Sequence, residues 1–199
     1  MLQYNDTVAA LIGSRICHDL ISPIGAVANG IELMALSGVD QSPEMDLVAA
    51  SAANANARIC LFRLAFGMAS AGQRTGAGEI RTILKNVFSD SRITVDWQPD
   101  GDFDRAMAQA ALLALLCAES AVGLGGEITV SRSDNNWKIY ATGPRLKTSP
   151  DLWAGLTNPT TLHNIAPGDV QFIMLPDHLA RLDRFCRYTL TDTSVSLEF

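Results

Sequence analysis

The chain has 199 residues, room for one large domain or two small ones, and its 48% apolar and 18% charged residues give a globular rather than a disordered balance. A net charge of −6, with no cluster of Lys and Arg, argues against a nucleic-acid binder held through phosphates. The longest near-continuous apolar run, Ala106 to Ala118, is broken by Gln109 and is too short to span a bilayer.

The first residues, Met1 to Asp6, have neither the basic region nor the apolar core of a secretory signal. The cysteines at 17, 60, 117 and 186 are far apart, with no metal-ligand spacing and no disulfide framework. Reduced thiols in a cytoplasmic protein are expected.

A first long helix is expected to start at Asn5, Asp6 or Thr7, any of which caps it, and to run to about Leu36 before Ser37-Gly38. At roughly 100° per residue, Ile12, Ile16, Leu20, Val27, Ile31 and Met34 fall within about a third of its circumference. His18 falls opposite the centre of that stripe, beside Ser14, Ser22, Gly25 and Asn29, all small or polar. A core histidine would sit on the stripe, whereas this one is presented on an approachable face. Pro23 kinks the helix one turn later by removing a backbone donor. Ser42-Pro43-Glu44 restarts a helix that Leu47, Ile59, Leu61, Phe62, Leu64 and Phe66 carry to about Ser70. The two helices make an antiparallel hairpin with an apolar side to cover, either by a second copy or by the rest of the chain.

Ala71 to Gly78, rich in glycine, is expected to be a linker between a domain at 1–72 and another at 79–199. The second domain reads as an α/β sandwich with helices on one sheet face. Helices are expected at Glu79 to Phe88, at Phe103 to Val122 (capped by Asp100 or Asp102), at Ser149-Pro150-Asp151 to Leu156, and at Val170 to Cys186. Strands are expected at Ile93 to Trp97, Glu127 to Arg132, Trp137 to Ala141, Arg187 to Leu190 and Ser194 to Phe199, with a loop over Asn158 to Asn164.

The run His18-Asp19-Leu20-Ile21-Ser22-Pro23 resembles the phosphoacceptor box of two-component histidine kinases, whose pattern is His-acidic-Leu-x-x-Pro. The longer string HDLISPIGAVANGIEL is similar to the ChpT-type histidine phosphotransferases of alphaproteobacteria. The order of elements after residue 79 resembles the ATP-binding domain of histidine kinases. The fold class implied is α+β, with the helical hairpin forming a dimeric four-helix bundle ahead of a kinase-ATPase-like sandwich. The resemblance also implies a phosphorelay function: a phosphoryl group passes from a receiver-domain aspartate to His18 and on to a second receiver, with a hybrid kinase upstream and response regulators downstream. Asp19 would hydrogen-bond Nδ1–H and fix the tautomer. Arg15, Ser14, Ser22, Gly25 and Asn29 would meet the partner. No cofactor or metal is expected on this chain, since the receiver would bring the Mg²⁺.

The same resemblance locates a nucleotide site stripped of its ligands. The asparagine that helps hold Mg²⁺ and phosphates aligns with Cys117, a poor ligand for a hard cation. The adenine-reading aspartate of the Asp-x-Gly-x-Gly turn aligns with Ala141, and Arg145 replaces its second glycine. After Gly168 the glycine-rich lid gives way to Asp169-Val170-Gln171-Phe172. ATP-driven autophosphorylation is therefore not expected. An atypical kinase and a non-catalytic receiver-docking module are the competing readings. Of the other histidines, His163 sits in a loop and His178 follows Pro176-Asp177; neither is a comparable acceptor. Glu32 reads as a surface residue rather than a base.

Overall fold

The computed structural model describes residues 21, 24, 25, 27–36, 43–89, 91–158 and 166–199. The chain divides into two compact units, Met1–Met68 with Thr82–Ser89, and Ala69–Arg81 with Asp90–Phe199. The residues expected to start the first helix, and the loop tip around His163, lie outside those described.

In the first unit, residues 27–36 are helical (α1), and α2 spans Pro43–Phe66, ending one turn short of the expected Ser70. Along α2, Ala57, Leu61, Leu64 and Ala65 are buried at helical spacing, and Phe62 stacks on Phe66 at 5.3 Å. The side-chain amide of Asn54 donates to the Val87 carbonyl at 3.3 Å. On α1 the apolar stripe is open, with Val27 52% and Met34 47% exposed and Ile31 half-buried.

In the second unit the expected linker is a strand. Arg74–Gly76 (β1) pairs antiparallel with Asp102–Asp104 (β3), in the register Thr75 opposite Phe103. Thr75 is buried, and Ala77 N–H donates to the Gly101 carbonyl at 2.8 Å. The glycines here permit a turn at Gly72 (φ 75°) instead of a flexible tether. Helix α3 (Ala77–Phe88) follows at once; its residues from Thr82 on belong to the first unit, and Ile80, Leu84, Val87 and Phe88 are buried. Arg81, in its first turns, donates to the Trp97 and Pro99 carbonyls and to the Asp100 carboxylate.

The main sheet runs β2 (Ile93–Trp97), β4 (Gly126–Ser133), β5 (Asn136–Thr142), β7 (Ser194–Glu198) and β6 (Arg187–Leu190) in spatial order. Only the β2–β4 pair is parallel, as expected where a long crossover joins two strands. That crossover is β3 followed by helix α4 (Arg105–Ala121). Phe103, expected inside the helix, is instead a buried strand residue, and the cap is Asp104, whose Oδ1 accepts from Ala106 N–H at 2.9 Å. Every residue of α4 from Ala108 to Ala118 is buried, which marks it as the central element. It packs on β4, β5 and β7 on one side and on α6 (Gln171–Arg181) on the other.

Helix α5 (Pro150–Gly155) packs on α6 as well, through Trp153 against Phe172 at 5.4 Å. The helices thus share one sheet face. Strict alternation along β5 and β7 puts Trp137, Ile139, Ala141, Val195 and Leu197 beneath them. Trp97, Phe103 and Trp137 close one end of this core as an aromatic cluster, with centroids 5.3–6.1 Å apart. Helix α6 stops five residues before the expected Cys186, because Asp183 takes a left-handed backbone (φ 56°) that no helix continues through.

Two substitutions measure this ladder of support by chemical denaturation. Asp104→Ala is expected to cost about 1 kcal/mol by loss of the α4 cap, and Trp137→Ala about 3–5 kcal/mol by emptying the aromatic cluster.

Candidate functional site

The acceptor segment has two described members. Gly25 is helical and half-buried, and a Cβ added there would meet nothing within 4 Å. Its lack of a side chain therefore leaves space rather than relieving a clash. Asn29, one turn on, is exposed. His18, Asp19, Arg15, Ser14 and Ser22 lie outside the described residues. Glu32 is exposed, as read from the sequence.

His178 is a structural histidine. Its Nε2 donates to the Ala106 carbonyl at 2.7 Å, tying α6 to the first turn of α4. Burial holds its pKa below the usual 6.5, against the opposing effect of that backbone hydrogen bond. The neutral ring is thus spent on packing.

The residues aligned in sequence with a kinase's nucleotide ligands, Cys117 and Ala141, are buried. Cys117 lies on α4 without solvent exposure, and its carbonyl accepts from Ser120 Oγ at 2.7 Å. Desolvation, reinforced by Cys186 and Asp169, raises its thiol well above the ordinary 9.0. Ala141 is equally buried, in the middle of the sheet between Ile128 and Val195. Beyond it, Gly143 N–H donates to the Thr193 carbonyl (3.0 Å), Leu146 N–H to Asp192 (3.2 Å) and Lys147 N–H to Ala121 (2.8 Å). These bonds strap the segment after β5 to the β6–β7 turn and to the end of α4.

A Cβ on Gly143 would come within 2.8 Å of the Gly125 carbonyl, so the close approach itself requires glycine. Arg145 stands exposed. A 3₁₀ turn, Pro167–Asp169, runs into α6, and Gln171 Nε2 caps it by donating to the Gly168 carbonyl at 2.9 Å. The straps at Leu146 and Lys147 were not legible in the sequence, since backbone bonds between distant turns leave no residue-type signature.

A family model described as "Histidine phosphotransferase C-terminal domain" matches residues 77–193. The chain is 33% identical over 171 residues to "Protein phosphotransferase ChpT" of Brucella abortus (strain 2308), covering 80% of this chain and 81% of that protein. A solved structure titled "1.7 Angstrom Structure of a Bacterial Phosphotransferase" superposes with a TM-score of 0.68 at 24% identity, over 98% of this chain and 95% of that one. The chain therefore belongs to the histidine phosphotransferase family. Its activity is phosphotransfer within a phosphorelay.

Thiol reactivity tests how tightly the core of the second unit is shut. Burial pushes the Cys186 thiol up to about 12, so in native protein at pH 8 neither Cys117 nor Cys186 is expected to react with a disulfide reagent. Both should label fully once the protein is unfolded. Cys186 should begin to label in the native state only as pH climbs toward 12, the range in which its thiolate appears. Mass mapping of native labelled protein would expose the contrary result.

Proposed function

We propose that His18 is the phosphoacceptor and that receiver domains are both donor and recipient. The observation that carries this reading is the full His18-Asp19-Leu20-Ile21-Ser22-Pro23 box in a chain of the phosphotransferase family. Neutral imidazole attacks the phosphorus of a receiver aspartyl phosphate through Nε2. The phosphorus–oxygen bond breaks, the aspartate leaves as carboxylate, and a phosphohistidine remains. A second receiver's carboxylate then attacks in line, and His18 returns to its neutral form.

Little covalent catalysis is required beyond alignment and charge neutralisation, and the receiver supplies Mg²⁺ for the latter. Asp19 holds the Nδ1–H tautomer. Arg15, Ser14, Ser22, Gly25 and Asn29 form the landing face; the open space at Gly25 and the exposure of Asn29 support this use. ATP is not consumed. The burial of Cys117 and Ala141, where a kinase would need polar ligands facing a nucleotide, supports that.

The chain is further proposed to work as a homodimer whose hairpins form a four-helix bundle. Support comes from Val27 and Met34, on the stripe read from sequence, and from exposed Leu36 at the same helix end. Burying such side chains against a second copy would stabilise it by about 1.5–3 kcal/mol each. No described helix is long and apolar enough to cross a membrane, and a cytoplasmic location is proposed.

Purified protein should accept acid-labile phosphate from a phosphorylated receiver in the absence of ATP, and His18→Ala should accept none. Self-labelling of wild type from ATP, with no transfer from a panel of receivers, would instead establish the kinase reading. Light scattering should give twice the chain mass for wild type and a monomer for Val27→Glu/Met34→Glu. A monomeric wild type would overturn the bundle.

A further inference from the structure

The closed end of β5 is its last residue, Thr142; its first residue, Asn136, lies roughly 20 Å away along the strand. At that opposite end a cavity of about 540 Å³ opens between the β4–β5 hairpin and the loop from α6 to β6. Arg132, Lys138, Arg184 and Arg187 line it, together with Asp183 and Glu198. Four of the chain's 15 Lys and Arg therefore meet only two of its 21 Asp and Glu, inverting the charge balance of the whole protein. Trp137 and Phe199, both buried, provide an apolar floor, and Phe185 stands at the rim 78% exposed.

The walls are held in place. Arg184 Nη1 donates to the Asn135 carbonyl at 2.6 Å, clamping the loop to the hairpin. Arg132 Nε donates to the Asp134 carbonyl at 2.7 Å, while its guanidinium lies 5.6 Å from the Trp137 ring. Strand register sets Arg187, Glu198 and Lys138 in one row, with Lys138 and Glu198 paired at 3.0 Å. Arg187 makes no side-chain hydrogen bond among the described residues. Its charge acts on the neighbouring Glu198 carboxylate, and its guanidinium donors remain available to an anion in the hollow.

We propose that this cavity binds a phosphorylated small molecule carrying a flat ring, of the mononucleotide class. The cations come from the β4–β5 hairpin and from the stretch entering β6, and they converge on one hollow, which suits a compact anion rather than an extended polyanion. Guanidinium forks match phosphate oxygens in pairs. Phe185 offers a face for ring stacking, and Asp183 and Glu198 accept from hydroxyl or amino groups that a bare phosphate lacks. The volume falls within the range of small-molecule sites. The site is separate from the Cys117–Ala141 end and needs no hydrolysis.

The test is calorimetric titration of the full-length protein with AMP, GMP, inorganic phosphate and a Glu-rich peptide. At least one nucleotide should bind saturably, about tenfold or more tighter than inorganic phosphate. Arg187→Glu should weaken that binding by about tenfold or more, and Phe185→Ala by several-fold. Arg145→Ala, at the closed end, should bind as wild type does, and circular dichroism should show all three variants folded. The proposal is overturned if no nucleotide binds at millimolar concentration, or if phosphate binds as tightly as nucleotide. It also fails if Arg187→Glu and Phe185→Ala bind normally, or if only the acidic peptide binds.

Discussion

The burial of α4 is the constraint on which the second unit depends. A helix apolar around its whole circumference has no stable place except between two layers. Here the sheet supplies one and α6 the other. Its first turn is pinned from two directions, by the Asp104 carboxylate and by His178 reaching across from α6. Once the start of the helix is fixed, the position of Cys117 three turns later follows. The same burial that stabilises the domain removes the thiol from water and from any ligand.

The closed end follows from what Cys117 and Ala141 leave out. A side chain that holds a metal or reads a base must keep polar atoms facing an open site, and such atoms are costly when no ligand satisfies them. A thiol and a methyl group carry no such demand, so the sheet end can pack. The backbone straps at Gly143, Leu146 and Lys147 then use distant carbonyls of Thr193, Asp192 and Ala121 as partners. The apolar residues at these two positions and the backbone straps beyond them belong to one packed end of the domain. A phosphotransferase that received its phosphoryl group from a receiver aspartate, as proposed, would have no use for an open nucleotide site.

Much of this sheet was legible because its strands alternate cleanly. Trp137, Ile139 and Ala141 face inward while Asn136, Lys138 and Tyr140 face out, a period that no helix could share. The failures fall where local chemistry points away from tertiary pairing. The glycines of 72–78 signal a tether, but Thr75 finds a strand partner only in residues nearly thirty positions on. Phe103 reads as the first apolar residue of a helix because nothing local reveals that β1 will pair beside it. Likewise the left-handed turn at Asp183 is invisible in residue type, since aspartate there is tolerated rather than demanded. Gly25 and Asn29 share a helix face by spacing alone, which needs no tertiary partner, and Asn29 is exposed while Gly25 is half-buried.

The two units carry different kinds of burden. The hairpin presents an exposed apolar stripe and a polar face, a combination that is stable only when the stripe finds a cover. The sandwich has already satisfied its core, and among its exposed large apolar side chains Phe185 stands out at the cationic hollow. The proposed phosphoryl exchange between imidazole and carboxylate would depend chiefly on positioning. The proposed acceptor helix would then need to be held firmly while its polar face stays open to a partner. The proposed dimerisation through the stripe would do both, since helical spacing in the sequence sets His18 opposite that stripe and the small residues beside His18.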